Sequence, residues 1–108
     1  MNAATAEHVA EVLKAIANPV RLQIIEALEH QELCVGDICQ AIGARQAIAS
    51  QQLTLMKDKG VLASRRSGAK VYYRIENPNI IRVLHCIYDH CDSRQVDTRH
   101  KAVYDKDT

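Results

Sequence analysis

Two sets of side chains in this sequence could do chemistry. The first is a set of four thiols, Cys34, Cys39, Cys86 and Cys91. The second is a block of cations. Between Arg45 and Arg74 stand seven basic residues (Arg45, Lys57, Lys59, Arg65, Arg66, Lys70, Arg74) and one acid, Asp58, so the segment is net +6. Residues 1–43 are net −4 and residues 75–108 net −1. A chain of formal charge +1 has thus gathered its positive charge in one place. Such asymmetry is the electrostatic footprint of a surface that meets a polyanion.

The thiols become nucleophiles and soft-metal ligands when deprotonated. No basic stretch followed by an apolar run opens the chain, and no window approaches about 18 apolar residues. The expectation is a cytoplasmic protein, neither secreted nor membrane-spanning. In that setting four cysteines read as reduced thiols, not as a disulfide framework. Cys34 falls at the start of a helix, where unpaired N–H groups favour a thiolate; the alternative is that it only fills a cap position. His85, Cys86, His90 and Cys91 are locally dense, and with Cys34 they are the candidate metal ligands. On one helix, however, residues 86 and 91 point about 140° apart, at about 100° per residue. That helix cannot easily bring all four to one ion or join Cys86 to Cys91. Cys39 and Cys91 fall on inward helix stripes, where small buried hydrophobes are the competing explanation. The chain has no Cys-x-x-Cys, no Gly-rich phosphate loop and no nucleophile-elbow motif, which argues against an enzyme.

These groups need a scaffold. At 108 residues, one domain can bury about two-thirds of its chain surface. The sequence has no Phe and no Trp, so the core must be Ile, Leu, Val and Ala, which suits helices. Val9, Val12, Leu13 and Ile16 predict a first helix over 5–17. Asn18 can cap a second helix, with Pro19 at its first position, running to about Leu28 with Leu22, Ile25 and Leu28 inward. A third helix is expected from Val35 to Ile42, its apolar face Val35, Ile38, Cys39 and Ile42, stopped by Gly43. A fourth covers about Gln46 to Lys59, with Ile48, Leu53 and Met56 inward. Strands over Val61–Arg66 and Lys70–Ile75 follow, joined by a three-residue loop Ser67-Gly68-Ala69 in which Gly68 supplies a positive φ. A fifth helix opens at Asn77-Pro78, with Ile80, Leu84, Ile87 and Cys91 on one stripe. Residues 1–93 are read as one folded domain, to which the resemblance given below assigns DNA binding and sensing, and 94–108 as a polar, flexible tail. The fold class is mainly α with a β-hairpin wing, a winged helix-turn-helix. The apolar stripes of helices one and five exceed what one small core can bury, which predicts a homodimer through them.

The element order and four motifs resemble the ArsR/SmtB family of bacterial repressors. The motifs are Ala17-Asn18-Pro19-Val20-Arg21-Leu22, Glu32-Leu33-Cys34-Val35-Gly36-Asp37-Ile38, Ala49-Ser50-Gln51-Gln52-Leu53 and Val71-Tyr72-Tyr73. The resemblance spans roughly residues 8–92. It implies a homodimer that binds double-stranded operator DNA and leaves it when an inducer reaches a sensor site. By the same resemblance helix four enters the major groove and presents Gln46, Ala47, Ser50 and Gln51. Arg45 stands where a capping Ser is common in the family; it can reach a phosphate or a guanine edge. The wing residues Arg65, Arg66 and Lys70 would grip phosphate or enter the minor groove.

For the sensor the resemblance leaves two readings. Relatives that respond to metalloids or cadmium carry Cys-Val-Cys where this chain has Cys34-Val35-Gly36, so one ligand is missing. Zinc-responding relatives use positions that fall here on Asn77, Asn79, His90 and Ser93, of which only His90 suits zinc. A further subset senses persulfides or oxidants with one cysteine in each of helices three and five. Cys39 matches the first position, and Cys91 the second if one residue is deleted near Asn77-Pro78; Cys86 is the substitute. The leading expectation is therefore a repressor released by reactive sulfur or oxidant through Cys39 and Cys91. The alternative is a thiophilic metal or metalloid (arsenite, zinc, cadmium) bound through Cys34 or the His and Cys residues of helix five. No cofactor is required on the first reading, which calls only for covalent sulfur modification; the second calls for a metal ion.

Overall fold

The computed structural model describes residues 1–90 of the chain. The expectations for Cys91 and Ser93, for the side chain of His90 and for the tail at 94–108 lie outside the described residues. The element order is α1 (Ala3–Ile16), α2 (Pro19–Ala27), β1 (Leu33–Cys34), α3 (Val35–Ile42), α4 (Gln46–Asp58), β2 (Leu62–Ser67), β3 (Lys70–Ile75) and α5 (Asn79–His90). They divide into two compact units, one of Met1–Pro78 and one that opens at Asn79 and holds α5.

Local chemistry sets the helix ends. The Asn2 side chain accepts from the Thr5 N–H at 2.8 Å and opens α1. Asn18 accepts from the N–H groups of Val20 at 2.9 Å and Arg21 at 3.2 Å, while Pro19 takes the first turn of α2. Two otherwise unpaired donors are satisfied by one side chain, so Asn18→Ala should lower stability by roughly 1 kcal/mol. Urea denaturation followed by far-UV circular dichroism checks this. α3 ends at Gly43, whose φ of 69° is left-handed backbone and whose N–H donates to the Cys39 carbonyl at 2.8 Å. Arg45 precedes α4 and gives it no side-chain cap, as its chemistry requires.

In the first unit Ile24, Ile25, Ile38, Leu53, Met56 and Val61 are fully buried. Each such side chain contributes about 1.5–3 kcal/mol by leaving water. The core is aliphatic, as the lack of Phe and Trp required, but its members differ from expectation in places. In α2 Ile24 is fully buried and Leu22 only half-buried; in α4 Ala49 is buried and Ile48 half-buried. In α3 only Ile38 is fully inside, whereas Val35, Cys39 and Ile42 are half-buried. An eight-residue helix has too few turns to submerge a wide stripe.

The sheet has three antiparallel strands in the order β1-β3-β2. β1 is an addition to the expected hairpin: Leu33 pairs with Tyr73 and Cys34 with Tyr72. The hairpin loop is shorter than expected. Ser67 pairs with Lys70, which leaves Gly68 and Ala69 as a two-residue loop, and Gly68 supplies the positive φ of 65° that such loops favour. In the second unit α5 begins at Asn79, two residues later than expected. Its Ile80 and Leu84 are buried, and Val83, Ile87 and Tyr88 are exposed. No helix among the described residues is long and apolar enough to cross a membrane.

Candidate nucleic-acid interface and sensor thiols

α4 owes its two faces to its sequence. Ala49, Leu53 and Met56 point into the core. Gln46, Ala47 and Gln51 are exposed, and Ser50 is half-buried. No acid stands on the exposed face of the first two turns. α3 and α4 are joined by Gly43, Ala44 and Arg45, a short turn that begins with the left-handed glycine. Arg45 is exposed at the N-terminal end of α4. An open groove of about 490 Å³ runs from the start of α3 and α4 to the hairpin tip, lined in part by Cys34, Asp37, Gln46 and Lys70.

The seven cations of the central block do not have equal surroundings. Lys59 pairs with Glu11 at 3.3 Å, Arg74 with Glu76 at 4.0 Å and Arg65 with Glu32 at 2.7 Å. The hydrogen bond from Lys59 and its charge hold the Glu11 carboxyl below the usual range, and Arg65 does the same for Glu32. The Arg65 guanidinium is raised in turn, chiefly by the bond to Glu32. A carboxylate held low contributes its pairing above the ordinary carboxylate range and loses it as pH falls. Arg45, Lys57, Arg66 and Lys70 have no ion-pair partner among the described residues. The expected DNA-facing cations Arg45, Arg66 and Lys70 are thus available to an outside anion, whereas Arg65 is engaged within the protein.

Arg21 has a structural role that its motif does not reveal. Its Nε donates to Gln52 Oε1 at 2.7 Å and its Nη1 to the Lys14 carbonyl at 3.0 Å. One side chain on α2 therefore ties the end of α1 to the middle of α4. Its partners are 7 and 31 residues away in sequence, so spacing alone could not find them.

The thiols are dispersed. Cys34 is buried, and its Sγ lies 3.3 Å from Asp37 Oδ2, to which it donates; it makes no cap bond to the backbone of α3. Cys39 is half-buried on α3 and Cys86 exposed on α5. Among the described residues no group of three or more His, Cys, Asp or Glu side chains could hold a metal ion. Around Cys34 the donor set is one sulfur and one carboxylate, with Gly36 where a second thiol would be needed. That set fits a soft metal poorly.

The family model for bacterial regulatory proteins of the arsR family matches residues 18–64. A biofilm growth-associated repressor of Xylella fastidiosa is 32% identical over 83 residues, which cover 77% of this chain and 73% of that protein. The chain belongs to the arsR family of bacterial regulatory proteins. A transcriptional repressor SmtB homolog of Synechocystis is 33% identical over 79% of this chain, although the match spans 64% of that relative. The solution structure of a homodimeric winged helix-turn-helix DNA-binding domain from Mycobacterium bovis superposes with a TM-score of 0.71, at 32% identity, covering 98% of this chain and 93% of that one. The fold is accordingly a winged helix-turn-helix, with α3 and α4 as its helix pair and β2–β3 as its wing. The chain is a transcriptional repressor, not an enzyme. As its family does, it binds double-stranded DNA as a homodimer.

Proposed function

We propose that this repressor reads its operator with Gln46, Ala47, Ser50 and Gln51 of α4 and anchors itself on phosphate with Arg45, Arg66 and Lys70. The observation that carries this reading is the split among the cations. Lys59, Arg65 and Arg74 are engaged by Glu11, Glu32 and Glu76; of the four left over, Arg45 stands at the start of α4 and Arg66 and Lys70 at the wing tip, while Lys57 lies in the last turn of α4. Gln makes bidentate contacts to adenine, and small side chains fit a thymine methyl. Gln51→Ala should weaken operator binding by about 1–3 kcal/mol and leave binding to random duplex nearly unchanged. Arg66→Ala should weaken both and reduce the salt slope by about one unit. Titration of operator and random duplexes across a salt series separates the two. If both variants behave alike, the reading face is misassigned.

We infer further that the inducer acts on thiols, through Cys39 with Cys91, or with Cys86 in its place. Cys39 is half-buried, so part of it is open to a reagent in solvent. Two thiols form a bridge by giving two electrons and two protons to the inducer, which peroxide or an oxidised sulfur species accepts. The poor donor set around Cys34 weighs against a metal in that place. A thiophilic metal or metalloid reading would draw on His85, Cys86 and His90 of α5 or on both subunits. Mass spectrometry after exposure to sulfane sulfur, peroxide, arsenite or zinc, scored beside operator release, decides between the classes.

A further inference from the structure

The wing carries two adjacent arginines with opposite surroundings. Register explains the difference. Arg65 pairs with Tyr72 across the hairpin, and Tyr72 pairs with Cys34 of β1. Directly paired residues lie on the same sheet face. Glu32, two residues before Cys34, falls on that face by the two-residue period of extended chain. The Arg65 guanidinium therefore crosses the middle strand. It lies 4.9 Å over the centre of the Tyr72 ring. It then reaches Glu32 beyond the far strand, donating from Nε at 2.8 Å and from Nη2 at 2.7 Å to one carboxylate oxygen. Arg66 pairs with Val71 and so belongs to the other face.

The row Arg65–Tyr72–Cys34 is the last at which all three strands are paired. Beyond it only the hairpin pairs, Arg66 with Val71 and Ser67 with Lys70, continue to the tip. A bare two-stranded ribbon holds its direction weakly. A brace placed at the row where the third strand ends fixes the direction of everything past it. Its far end, Glu32, directly precedes β1, which runs without a break into α3. The pair is half exposed, and such pairs add little to global stability. A guanidinium fork donating twice to one oxygen and stacked on an aromatic ring fixes orientation instead.

We propose that Arg65 is a positioning residue and not a DNA contact: with Glu32 and Tyr72 it braces the wing against the segment that opens α3, so that Arg66 and Lys70 are held in register with α4. The inference rests on the reading of the wing as a DNA-binding element. The brace is electrically neutral, because Glu32 offsets Arg65, and it releases no counterion when DNA binds.

The test uses the full-length protein, a fluorescein-labelled duplex of random sequence, and anisotropy over a series of salt concentrations. Arg66→Gln should lower affinity and reduce the slope of log K against log salt by about 0.9. Arg65→Gln should lower affinity several-fold with the slope unchanged. Glu32→Gln removes a negative charge near DNA, which simple electrostatics would convert into tighter binding; the brace predicts weaker binding. The double variant Glu32→Gln/Arg65→Gln should bind no worse than either single variant, since each alone already breaks the pair. Thermal unfolding should be nearly unchanged in all of them. A reduced salt slope for Arg65→Gln, or tighter binding by Glu32→Gln, would overturn the brace. If Arg66→Gln changes neither affinity nor slope, the wing reading itself fails, and the brace's part in DNA binding fails with it.

Discussion

Leu13→Glu and Ile87→Glu should each produce a folded monomer that no longer holds a palindromic operator. Leu13 on α1 is 49% exposed and Ile87 on α5 is 53% exposed; Val9, Val83 and Tyr88 extend the two apolar faces. None of these side chains is buried among the described residues. A family whose members bind DNA as homodimers gives them a destination, and a C2 contact would bury each of them twice. A carboxylate placed there is tolerated in the free protomer, where water still reaches it. It is not tolerated in an apolar interface, where it would be desolvated without a partner. The loss of DNA affinity follows from linkage. One half-site bound tethers the second recognition helix next to the other half-site, and such tethering commonly adds a factor on the order of 100–10,000. Sedimentation velocity at micromolar concentration and operator titration on the same samples measure both effects. A variant that stays dimeric would show that the face it alters lies outside the interface.

Much of the scaffold was legible because its signals are local. Asn18-Pro19 names a helix start by cap chemistry and ring geometry, and Gly43 and Gly68 each occupy a left-handed position that other residues avoid. The stripe of α4 separated its buried and exposed faces well enough to name Gln46, Ala47 and Gln51 as accessible. The misreadings have physical causes. α2 is apolar at Val20, Leu22, Ile24, Ile25 and Leu28, so periodicity could not say which of Leu22 and Ile24 would be sealed. β1 is two residues long and has no period to detect; it exists because β3 offers an edge for Leu33 and Cys34. The Arg65–Glu32 pair was not legible either, because strand alternation shows only that Arg65 and Arg66 face opposite ways. Which of them meets an acid depends on Glu32, 33 residues away. The same limit applies to Arg21 and Gln52. Charge counts located the block of cations, and only tertiary structure showed which of them are neutralised.

Cys39→Ser should bind operator with ordinary affinity and fail to release it when treated with reactive sulfur or oxidant. Cys39 sits in the middle of α3, one turn before Gly43 and the short connection to α4. Its carbonyl accepts the Gly43 N–H at 2.8 Å and the Ala44 N–H at 3.2 Å, so the residue belongs to the backbone junction that aims the recognition helix. A modification that pulls on Cys39 therefore acts on the turn that sets the direction of α4. Because Cys39 is half-buried, a bulky or cross-linked sulfur there is expected to press on its surroundings, whereas Ser is of similar size to Cys and is expected to leave the reduced geometry in place. The operator has fixed half-site spacing, and a small change in the separation of two recognition helices penalises binding at both half-sites at once. Couplings of about 1–3 kcal/mol, a change of roughly 5–150-fold, are typical of allosteric proteins and suffice for derepression. The second thiol decides the chemistry. A disulfide requires Cα atoms about 5.5–6 Å apart, and a polysulfide chain spans a wider gap, so a preference for sulfane sulfur over peroxide would report a long bridge. Cys91→Ser should share the Cys39→Ser defect. If Cys91→Ser still responds and Cys86→Ser does not, the partner is Cys86. If all three variants release DNA normally with every thiol oxidant, the thiol switch is wrong, and a metal bound through Cys34 or the His and Cys residues of α5 becomes the reading to test.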